Sequence, residues 1–355
     1  MGVKDKVIKK EQLVDMASKM LEAGGLSQAD ALTIAEDLVA ADLRGLTSHG
    51  VSRIPMYLNR ISKKLVNTQP DIKVEKVTPA AAIVDGDDGM GFIVSHKAIE
   101  EGIQMAQNMG IALVGVRHST HFGMAALYVK QAIEAGCICI AFTNSSPALP
   151  AWGGRTTFLG AAPLATGIPG GHHSPDYVLD MAMTVIARGK IRVAATNGEP
   201  IPEGLALDKD GAPTTDAKKA FEGVCLPFGG AKGSALAMMM DLMAGMFTGA
   251  NFGGDVKSLY FDHSEPQNVG HLFFVIKPDL FVSMDEYKNR MDTFYSRLKN
   301  LPRAQGFDEI MMPGEPEERV AKERSEKGIP LSGEILSNLS EVAQQYHLEF
   351  PELFN

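Results

Sequence analysis

The stretch IALVGVRHSTHFGMAALYVKQAIEAGCICIAFT, residues 111–143, contains two kinds of apolar pattern in succession. IALVGV and CICIAFT are short apolar runs that are typical of buried strands. The segment between them, MAALYVKQAIEAG, has the pattern of a helix that ends at Gly136. A strand, a helix and a second strand in this order predict an α/β core whose sheet is covered by helices on both faces.

The chain before this stretch has a helical pattern over residues 10–62. The hydroxyl of Ser27 can cap a helix that runs to Arg44 and ends at Gly45. A further helix is predicted because apolar residues recur at i, i+3, i+4 and i+7 in Ile54, Tyr57, Leu58 and Ile61. The sequence therefore predicts a mainly helical N-terminal region ahead of the α/β core.

Strand and helix patterns continue after residue 143. The runs MAMTVIA, residues 181–187, and LFFVI, residues 272–276, predict two more strands. The apolar run 234–250 contains an aspartate and is too short to span a bilayer, so it predicts a buried helix. The charged segment that begins at Gly314 predicts a helix on the surface.

Composition and charge argue against several classes of protein. With 34 basic and 43 acidic residues the net charge is −9, which disfavours binding to nucleic acid or to an anionic membrane. The three cysteines, Cys137, Cys139 and Cys225, form neither an even disulfide set nor a zinc-binding pair. No apolar segment of a secretory signal follows the N-terminal basic residues. We therefore expect a cytoplasmic protein with reduced thiols.

The segment LTSHGVSRIPMYLNRI, residues 46–61, places three reactive groups close together at Ser48, His49 and Arg53. Its proline is tolerated only near a helix start, so we expect Ser52 to cap the helix beside free backbone amides. A guanidinium suits a carboxylate, and an imidazole exchanges protons near neutral pH. The residues alone leave two interpretations open: a catalytic corner, or a helix cap beside an incidental histidine.

Two other motifs have the composition of binding sites. HSTHFG, residues 118–123, follows a predicted strand, where ligands collect in open α/β sheets; its histidines indicate either a weak metal pair or an ordinary turn. PFGGAKGS, residues 227–234, places glycines and Lys232 at a helix start, which suits either a phosphate or close helix packing. No G-x-G-x-x-G sequence joins a strand to a helix, so a Rossmann fingerprint is absent.

Six motifs in the family's order resemble the malate/L-lactate dehydrogenase family, which also includes ureidoglycolate and diketogulonate dehydrogenases. The motifs are DLRGLTSHGVSRIPMYLNRI, HSTHFGMAALYVKQA, AFTNSSPALPAWGG, DMAMTVIARGKI, GEPIPEGLALDKDGAPTTD and GVCLPFGGAKGSALAMMMDLMAGMFTGA. The resemblance implies an NAD(P)-dependent oxidoreductase whose mixed sheet, flanked by helices, forms a non-Rossmann NAD(P)-binding fold. It also implies a homodimer with the active site near the subunit contact, and it favours the catalytic interpretation of residues 46–61.

The resemblance assigns roles position by position. Ser48 resembles the relay hydroxyl, His49 the proton donor and acceptor, and Arg53 the clamp on the substrate carboxylate. His121 lies beside substrate or cofactor and is named as the base in some members. No metal is implied, and the implied cofactor contacts are His121, Ser145, Asp180, Met181, Ala182, Lys232, Gly314, Glu315 and Pro316.

Taken with the local patterns, the resemblance divides the chain into three expected regions. Residues 1–75 form the helical region that contains the Ser-His pair and the arginine. Residues 76–312 form the α/β core that binds cofactor and substrate. Residues 313–355 form a helical segment that packs back on the core.

One departure from the family concerns the substrate. Many relatives have Gly-Thr-Asn-Pro where this chain has a Gly-Ala-Ala-Pro segment with Ala161 and Ala162, so a hydroxyl and an amide are missing. The resemblance implies interconversion of a 2-hydroxy acid and its 2-oxo acid with NAD or NADP, and we expect malate first. Lactate, ureidoglycolate and cyclic imino acids stay open. So do a metal-dependent lyase or hydrolase built on His118 and His121, and a metabolite-binding protein without catalysis.

Overall fold

A computed structural model of the chain describes residues 4–350. Its α-helices are α1 (Lys10–Ala23), α2 (Gln28–Leu43), α3 (Ile54–Ser62), α4 (Gly91–Met109), α5 (Ala126–Glu134), α6 (Arg188–Asn197), α7 (Ala217–Glu222), α8 (Ala231–Asp241), α9 (Met284–Lys299), α10 (Glu315–Lys327) and α11 (Gly333–Gln345). Its strands are β1 (Lys6–Ile8), β2 (Lys73–Thr78), β3 (Ala81–Asp85), β4 (Ile111–Ser119), β5 (Ile138–Thr143), β6 (Pro147–Leu149), β7 (Leu159–Gly160), β8 (Pro163–Ile168), β9 (Tyr177–Ala182), β10 (Ala206–Leu207), β11 (Val224–Cys225), β12 (Val269–Ile276) and β13 (Ile329–Leu331).

Seven strands form one mixed sheet in the order β2-β3-β4-β12-β5-β8-β9. The pair β3–β4 is parallel, and the other neighbouring pairs are antiparallel. Alternate residues of the strands face opposite sides: Phe273 packs with α4 and α5, whereas Leu272 packs in a second apolar cluster with α8. The prediction of a mixed α/β sheet covered on both faces is confirmed.

Residues 111–143 form the predicted strand, helix and strand as β4, α5 and β5. The two strands are not neighbours, because β12 lies between them and pairs antiparallel with both. The turn between β4 and α5, residues 120–125, therefore lies at one end of the three central strands. The sequence pattern contained no information on this insertion, since β12 comes more than a hundred residues later.

The N-terminal helices follow their sequence signals closely. The Ser27 hydroxyl accepts a hydrogen bond from the backbone amide of Asp30 at 3.1 Å and caps α2. Helix α3 spans Ile54–Ser62, and all four residues of its predicted apolar stripe are buried. They pack in one apolar cluster with α1 and α2.

The C-terminal segment contacts both the N-terminal helices and the core, where the backbone amide of Val178 donates to the carbonyl of Pro313 and Lys130 pairs with Glu318. Strand β13 pairs antiparallel with β1, and Leu336 and Leu339 of α11 lie in the apolar cluster that contains Leu38 and Tyr57. Helix α10 contributes no buried residue, as expected of a surface helix. The boundaries of the three regions remain predictions.

Three local predictions differ from the structure. Ser52 does not cap α3: its hydroxyl donates to the carbonyl of Thr47 at 2.7 Å, and Arg53 takes the capping position. The strand expected at 181–187 is β9, which ends at Ala182, because the chain turns away there to begin α6. The buried helix expected at 234–250 is α8 followed by a π-helical turn, Leu242–Met246.

Helix α8 and its π-helical turn bury one side only. The inner side packs on the sheet through Ala237 and Met240. The outer side leaves large apolar residues exposed, namely Met238, Met239, Leu242, Met246 and Phe247. Over residues 4–350, no helix combines the length and apolar character that crossing a membrane requires.

The guanidinium of Arg60 joins α3 to the segment that follows the π-helical turn. The side chain is 1% exposed and donates to the carbonyl oxygens of Ser258, Asp262 and Glu265 at 3.0–3.4 Å. We expect Arg60→Ala to lower the free energy of unfolding by about 2–3 kcal/mol, because three partly buried hydrogen bonds lose their charged donor. Thermal and urea unfolding measure this; Arg290→Ala, at an exposed i,i+4 pair on α9, is the control. Equal losses in both variants would contradict it.

Candidate active site

Two short 3₁₀ turns, Thr47–His49 and Val51–Arg53, carry the reactive residues between α2 and α3. Asp42 holds the second turn: its buried carboxylate accepts the backbone amide of Val51 at 2.8 Å. Gly50 lies directly over this carboxylate, and a Cβ there would come within 2.1 Å of it. The close approach explains why the position between the two turns needs glycine.

His121 lies in the turn between β4 and α5, and its Nδ1 atom is fully engaged. The backbone amide of Gly123 donates to it at 3.2 Å, and the hydroxyl of Tyr57 lies 2.8 Å from the same nitrogen. A nitrogen that accepts from a backbone amide has no proton, so the Tyr57 hydroxyl also donates and the neutral ring carries its proton on Nε2. Gly123 reaches this position with φ +75°, a conformation that favours glycine.

The structure brings the predicted catalytic residues together. The rings of His49 and His121 stack with centroids 5.7 Å apart and an interplanar angle of 20°. The Ser48 hydroxyl lies 3.0 Å from Nδ1 of His49. The Nε atom of Arg53 donates to the carbonyl oxygen of Ser48 at 2.5 Å, so the guanidinium is fixed beside both imidazoles.

Both imidazoles are held in the neutral form. Burial and, to a smaller extent, the positive charge of Arg53 together lower the pKa of His49 to about 4. Burial also places the pKa of His121 well below its usual value, followed in size by the effects of Arg53 and His49. Near pH 7 this corner therefore holds two neutral imidazoles and one guanidinium, and it is electrostatically complementary to a small anion.

Arg53 has contacts that orient it but leave its outer nitrogens available. Its guanidinium lies over the ring of Tyr260 at 5.4 Å, a cation–π contact, and Nη1 lies 3.8 Å from the sulfur of Met56. Nη2 makes no hydrogen bond with any residue in the described range. The arrangement suits a carboxylate that approaches the outer edge of the guanidinium.

His118 belongs to a different group from His121. Its Nδ1 atom is 3.0 Å from the carboxylate of Asp85, which also accepts from Arg117 at 3.1 Å. Among residues 4–350 there is no cluster of three or more His, Cys, Asp or Glu side chains arranged to hold a metal ion. The structure therefore does not join the two histidines in one site, as the metal-dependent lyase or hydrolase required.

A buried histidine, His271 on β12, supports the turn that carries His121. Its ring stacks face to face on Phe122 with centroids 4.5 Å apart. The Thr143 hydroxyl donates to the Gly270 carbonyl at 2.8 Å, so Nδ1 of His271 donates to Thr143 at 2.7 Å. Nε2 then accepts from the hydroxyl of Ser119 at 2.8 Å. Burial lowers the pKa of His271 to about 3, so the ring stays neutral.

Four of the predicted cofactor contacts lie on β9 and at the start of α8. Asp180 belongs to β9, and its carboxylate accepts a hydrogen bond from the backbone amide of Ala126, at the start of α5, at 2.8 Å. Burial raises the pKa of Asp180 to about 6. Met181 and Ala182 continue β9 from it. Lys232 is exposed in the first turn of α8, after two glycines with positive φ, and makes no ion pair within residues 4–350.

The remaining predicted cofactor contacts are tightly packed. Ser145 is half-buried against Gly160, where a Cβ would lie 2.4 Å from the serine hydroxyl. Gly314 takes φ +97° beside β9 and precedes Pro316 in the first turn of α10. Glu315 is already engaged by Lys299 at 2.6 Å, by Tyr295 and by a backbone amide. Its side chain therefore joins α9 to α10 and is not free for a cofactor, and its backbone amide donates to the carbonyl of Met312 at 3.1 Å.

Sequence reasoning missed four residues of this site: Asp42, Tyr57, Tyr260 and His271. Tyr57 belongs to the apolar stripe of α3, a pattern that indicates burial but does not show that a hydroxyl reaches a histidine. Asp42 offered the one available signal, because an acidic residue inside an otherwise apolar helical run needs a partner when buried. Nothing near His271 or Tyr260 in the sequence points to the corner.

A pair of neutral imidazoles beside a guanidinium can bind a small acid and exchange the proton of its hydroxyl group. The model of the malate/L-lactate dehydrogenase family matches residues 8–340. The chain belongs to this family and is an NAD(P)-dependent dehydrogenase.

Individual relatives agree over nearly the whole chain. L-sulfolactate dehydrogenase of Methanocaldococcus jannaschii is 38% identical, with 98% of this chain and 99% of that protein covered. The solved structure of sulfolactate dehydrogenase from this organism matches with a TM-score of 0.91 over 97% of this chain and 98% of that one. The malate dehydrogenase structure from Pyrococcus horikoshii is 31% identical, with a TM-score of 0.89 over 99% and 100%. Ureidoglycolate dehydrogenase (NAD(+)) of Escherichia coli K12 is 35% identical and covers 94% of each chain.

The buried carboxyl of Asp42 should make stability depend on pH. Burial raises its folded pKa from 3.8 to about 7, so its ionisation destabilises the fold progressively as the pH rises from 3.8 through about 7. The variant Asp42→Asn keeps an acceptor for Val51. We expect its free energy of unfolding, relative to that of the wild type, to rise by an amount on the order of 4 kcal/mol between about pH 4 and pH 9.

Calorimetric unfolding of both proteins across this range measures the difference. Asp71→Asn is the matched control, because that carboxylate is at the surface, with its side chain 79% exposed. A stability difference between Asp42→Asn and the wild type that does not change with pH would contradict the assignment.

Proposed function

We propose that the protein interconverts (S)-malate and oxaloacetate by hydride transfer between C2 of the acid and C4 of the nicotinamide. The observation that carries this proposal is the stacked pair His49–His121 with Arg53 fixed beside it. Sulfolactate is a second candidate, because a relative that is 38% identical carries that activity in its name. Lactate, ureidoglycolate and cyclic imino acids are the remaining alternatives within the family.

Arg53 binds the substrate carboxylate in this proposal. Its Nε is used to hold the Ser48 carbonyl, so the carboxylate approaches the outer nitrogens. The Tyr260 ring below the guanidinium and the Met56 sulfur beside it limit its rotation. A fixed guanidinium holds C2 of the substrate in one orientation relative to the imidazoles, and such alignment is a large part of the rate advantage of an enzyme.

His49 exchanges the proton of the substrate hydroxyl, and His121 donates a hydrogen bond to the same oxygen. His121 cannot accept a proton readily, since Nδ1 already accepts two donors and the neutral ring carries a proton on Nε2. Within residues 4–350 the His49 ring has one hydrogen-bond partner, the rotatable hydroxyl of Ser48, which can donate or accept, so its Nε2 is free to become a base. The two imidazoles thus have different roles for a local reason.

Substrate binding changes the electrostatics of this corner. Arg53 contributes to the low pKa of His49, after burial. A bound carboxylate neutralises part of that positive charge and raises the pKa of His49. Binding of the substrate is therefore accompanied by partial uptake of a proton by His49. That proton is the one needed by the 2-oxo acid in the reductive direction, whereas the neutral His49 favours oxidation of the hydroxy acid at higher pH.

The residues present fit NAD or NADP, which supplies the hydride-accepting and hydride-donating ring when bound. Lys232, exposed at the start of α8, would neutralise a phosphate. Asp180 would accept a hydroxyl of the ribose, because its carboxylate is half-buried and keeps one oxygen free of the bond to Ala126. Ser145, Met181 and Ala182, with the backbone of Gly314, Glu315 and Pro316, complete the proposed contacts.

The segment around Ala161 and Ala162 leaves the distal end of the substrate loosely specified. Ala162 is buried and Ala161 is half-buried, and neither side chain can donate or accept a hydrogen bond. A site built to bond a distal hydroxyl or amide rejects analogues that lack it, and here that discrimination is absent. We therefore propose tolerance toward distal carboxylate and sulfonate groups.

A homodimer in the cytoplasm completes the proposal. The exposed apolar side of α8 and its π-helical turn, from Met238 to Phe247, supports a subunit contact because monomers rarely expose such a patch. The three cysteines, Cys137, Cys139 and Cys225, are free and buried, as expected in a reducing compartment.

Substitution of each histidine separates their roles. We expect His49→Asn to lower kcat by about 10²–10⁴-fold and to leave NADH binding intact, because proton exchange is lost without a change in the cofactor contacts. His121→Asn keeps a donor toward the substrate and should lose less. Stopped-flow kinetics and NADH fluorescence measure both, and the exposed His173→Asn is the control. Turnover that survives His49→Asn but not His121→Asn would reverse the two roles.

A panel of 2-oxo acids with NADH and NADPH, followed at 340 nm, tests the substrate. We expect both oxaloacetate and sulfopyruvate to be reduced, since neither Ala161 nor Ala162 distinguishes a distal carboxylate from a distal sulfonate. Arg53→Lys should raise KM for all of them, because the planar fork is lost while the charge stays. No turnover with any member of the panel would refute the proposed activity.

A further inference from the structure

A cavity of about 350 Å³ lies between α2, α4, α5 and α10. Its apolar wall includes Ala40, Met124 and Leu127, and its charged rim includes Arg44, Lys130 and Glu318. Apolar walls with a few convergent charges are typical of small-molecule sites, and the volume lies at the lower end of their usual range of about 300–1,000 Å³. None of the contacts proposed above uses this cavity.

Arg44 is an incompletely paired cation in the wall of the cavity. It is 7% exposed, and its Nη1 atom donates to Glu318 at 2.8 Å. Its Nε atom is buried and has no hydrogen-bond partner within the described residues. A buried donor without an acceptor is costly, so this guanidinium is poised for a ligand with an acceptor atom.

Glu318 is the single carboxylate that neutralises both cations of the rim. Its Oε2 atom lies 2.8 Å from Arg44 and 3.3 Å from the amino group of Lys130. Partial burial of Glu318 works in the opposite direction, yet Lys130 and Arg44 hold its pKa below the usual value, so it stays ionised. Its side chain is 66% exposed and can move when a ligand enters.

The cavity adjoins both segments that carry the catalytic histidines. Arg44 ends α2 five residues before His49, and Met124 follows His121 by three residues. The carboxyl of Asp180, on β9, lies close enough to Arg44 for that positive charge to lower its pKa, against the larger effect of burial. A dinucleotide whose nicotinamide lies at the histidines therefore has its other end within reach of this cavity.

We propose that the cavity binds the adenosine end of the dinucleotide and that Glu318 selects NAD over NADP. This rests on the proposed dehydrogenase function. The adenine packs on the apolar wall, and the guanidinium of Arg44 donates to a base or ribose acceptor. Glu318 already neutralises the two cations, Arg44 and Lys130, that a 2′-phosphate would need, so the phosphorylated ribose meets a negative charge there.

The charge around the cavity supports rejection of a phosphate. Asp37, Glu134 and Glu318 line it, and Glu317 acts on the neighbouring Asp180. Asp37 is paired with His96 at 2.8 Å, while Lys130 and Arg44 share Glu318. An uncharged ribose hydroxyl tolerates these neighbours, but a phosphate dianion does not, unless the carboxylate at position 318 is removed.

Glu318→Gln tests the selector. We expect the ratio of kcat/KM for NADPH to that for NADH to rise at least tenfold, with a matching change in Kd for each cofactor measured by fluorescence without substrate. Glu326→Gln is the control, because Glu326 is exposed on the same helix and its carboxylate makes no hydrogen bond within the described residues. A ratio that moves no more in Glu318→Gln than in this control overturns the selector role.

Ala40→Phe tests the location, because the larger side chain fills the cavity from α2. We expect weaker binding of both cofactors, with folding checked by thermal unfolding; unchanged Kd values in the folded variant would refute the cavity as the adenosine site. Direct binding separates the two proposals. Wild-type protein that binds NADH but reduces no 2-oxo acid contradicts the substrate proposal alone, while reduction with an unshifted cofactor ratio contradicts the selector alone.

Discussion

The hydrogen bond from Tyr57 to His121 joins the two parts of the molecule that make the active corner. Tyr57 belongs to the N-terminal helices, and His121 belongs to the turn at the end of the central strands. The bond fixes which nitrogen of His121 carries the proton, and the ring stack with His49 depends on the same approach of helix and turn. The chemistry we assign to this corner requires both parts to be packed.

The sequence predicted those features that local patterns determine. The Ser27 cap, the apolar stripe of α3 and the succession β4, α5, β5 all follow from neighbouring residues. Periodicity does not report contacts between residues that are more than a hundred positions apart. It therefore predicted neither the insertion of β12 between β4 and β5 nor the packing of α11 on the N-terminal helices. Periodicity shows that a side chain is buried, but not against which partner.

The residues of the site also divide into those that the sequence predicted and those that it missed. Ser48, His49 and Arg53 were found because they lie close together in sequence, and the resemblance to a family added His121. Asp42 acts through a bond to the amide of Val51, nine residues later, and His271 acts through bonds to Ser119 and Thr143, which are far from it in sequence. Ser52 was misassigned because a serine before a proline suggests a cap, although its hydroxyl completes the preceding 3₁₀ turn instead.

The chain of bonds from Ser119 through His271 to Thr143 has a consequence for how the enzyme tolerates acid. Every proton in this chain already has an acceptor, and the buried ring gains a charge only near pH 3. The histidine under the catalytic turn therefore stays neutral near pH 4, where His49 gains its charge. Acidification alters reactivity at the corner before it charges the ring that supports the turn.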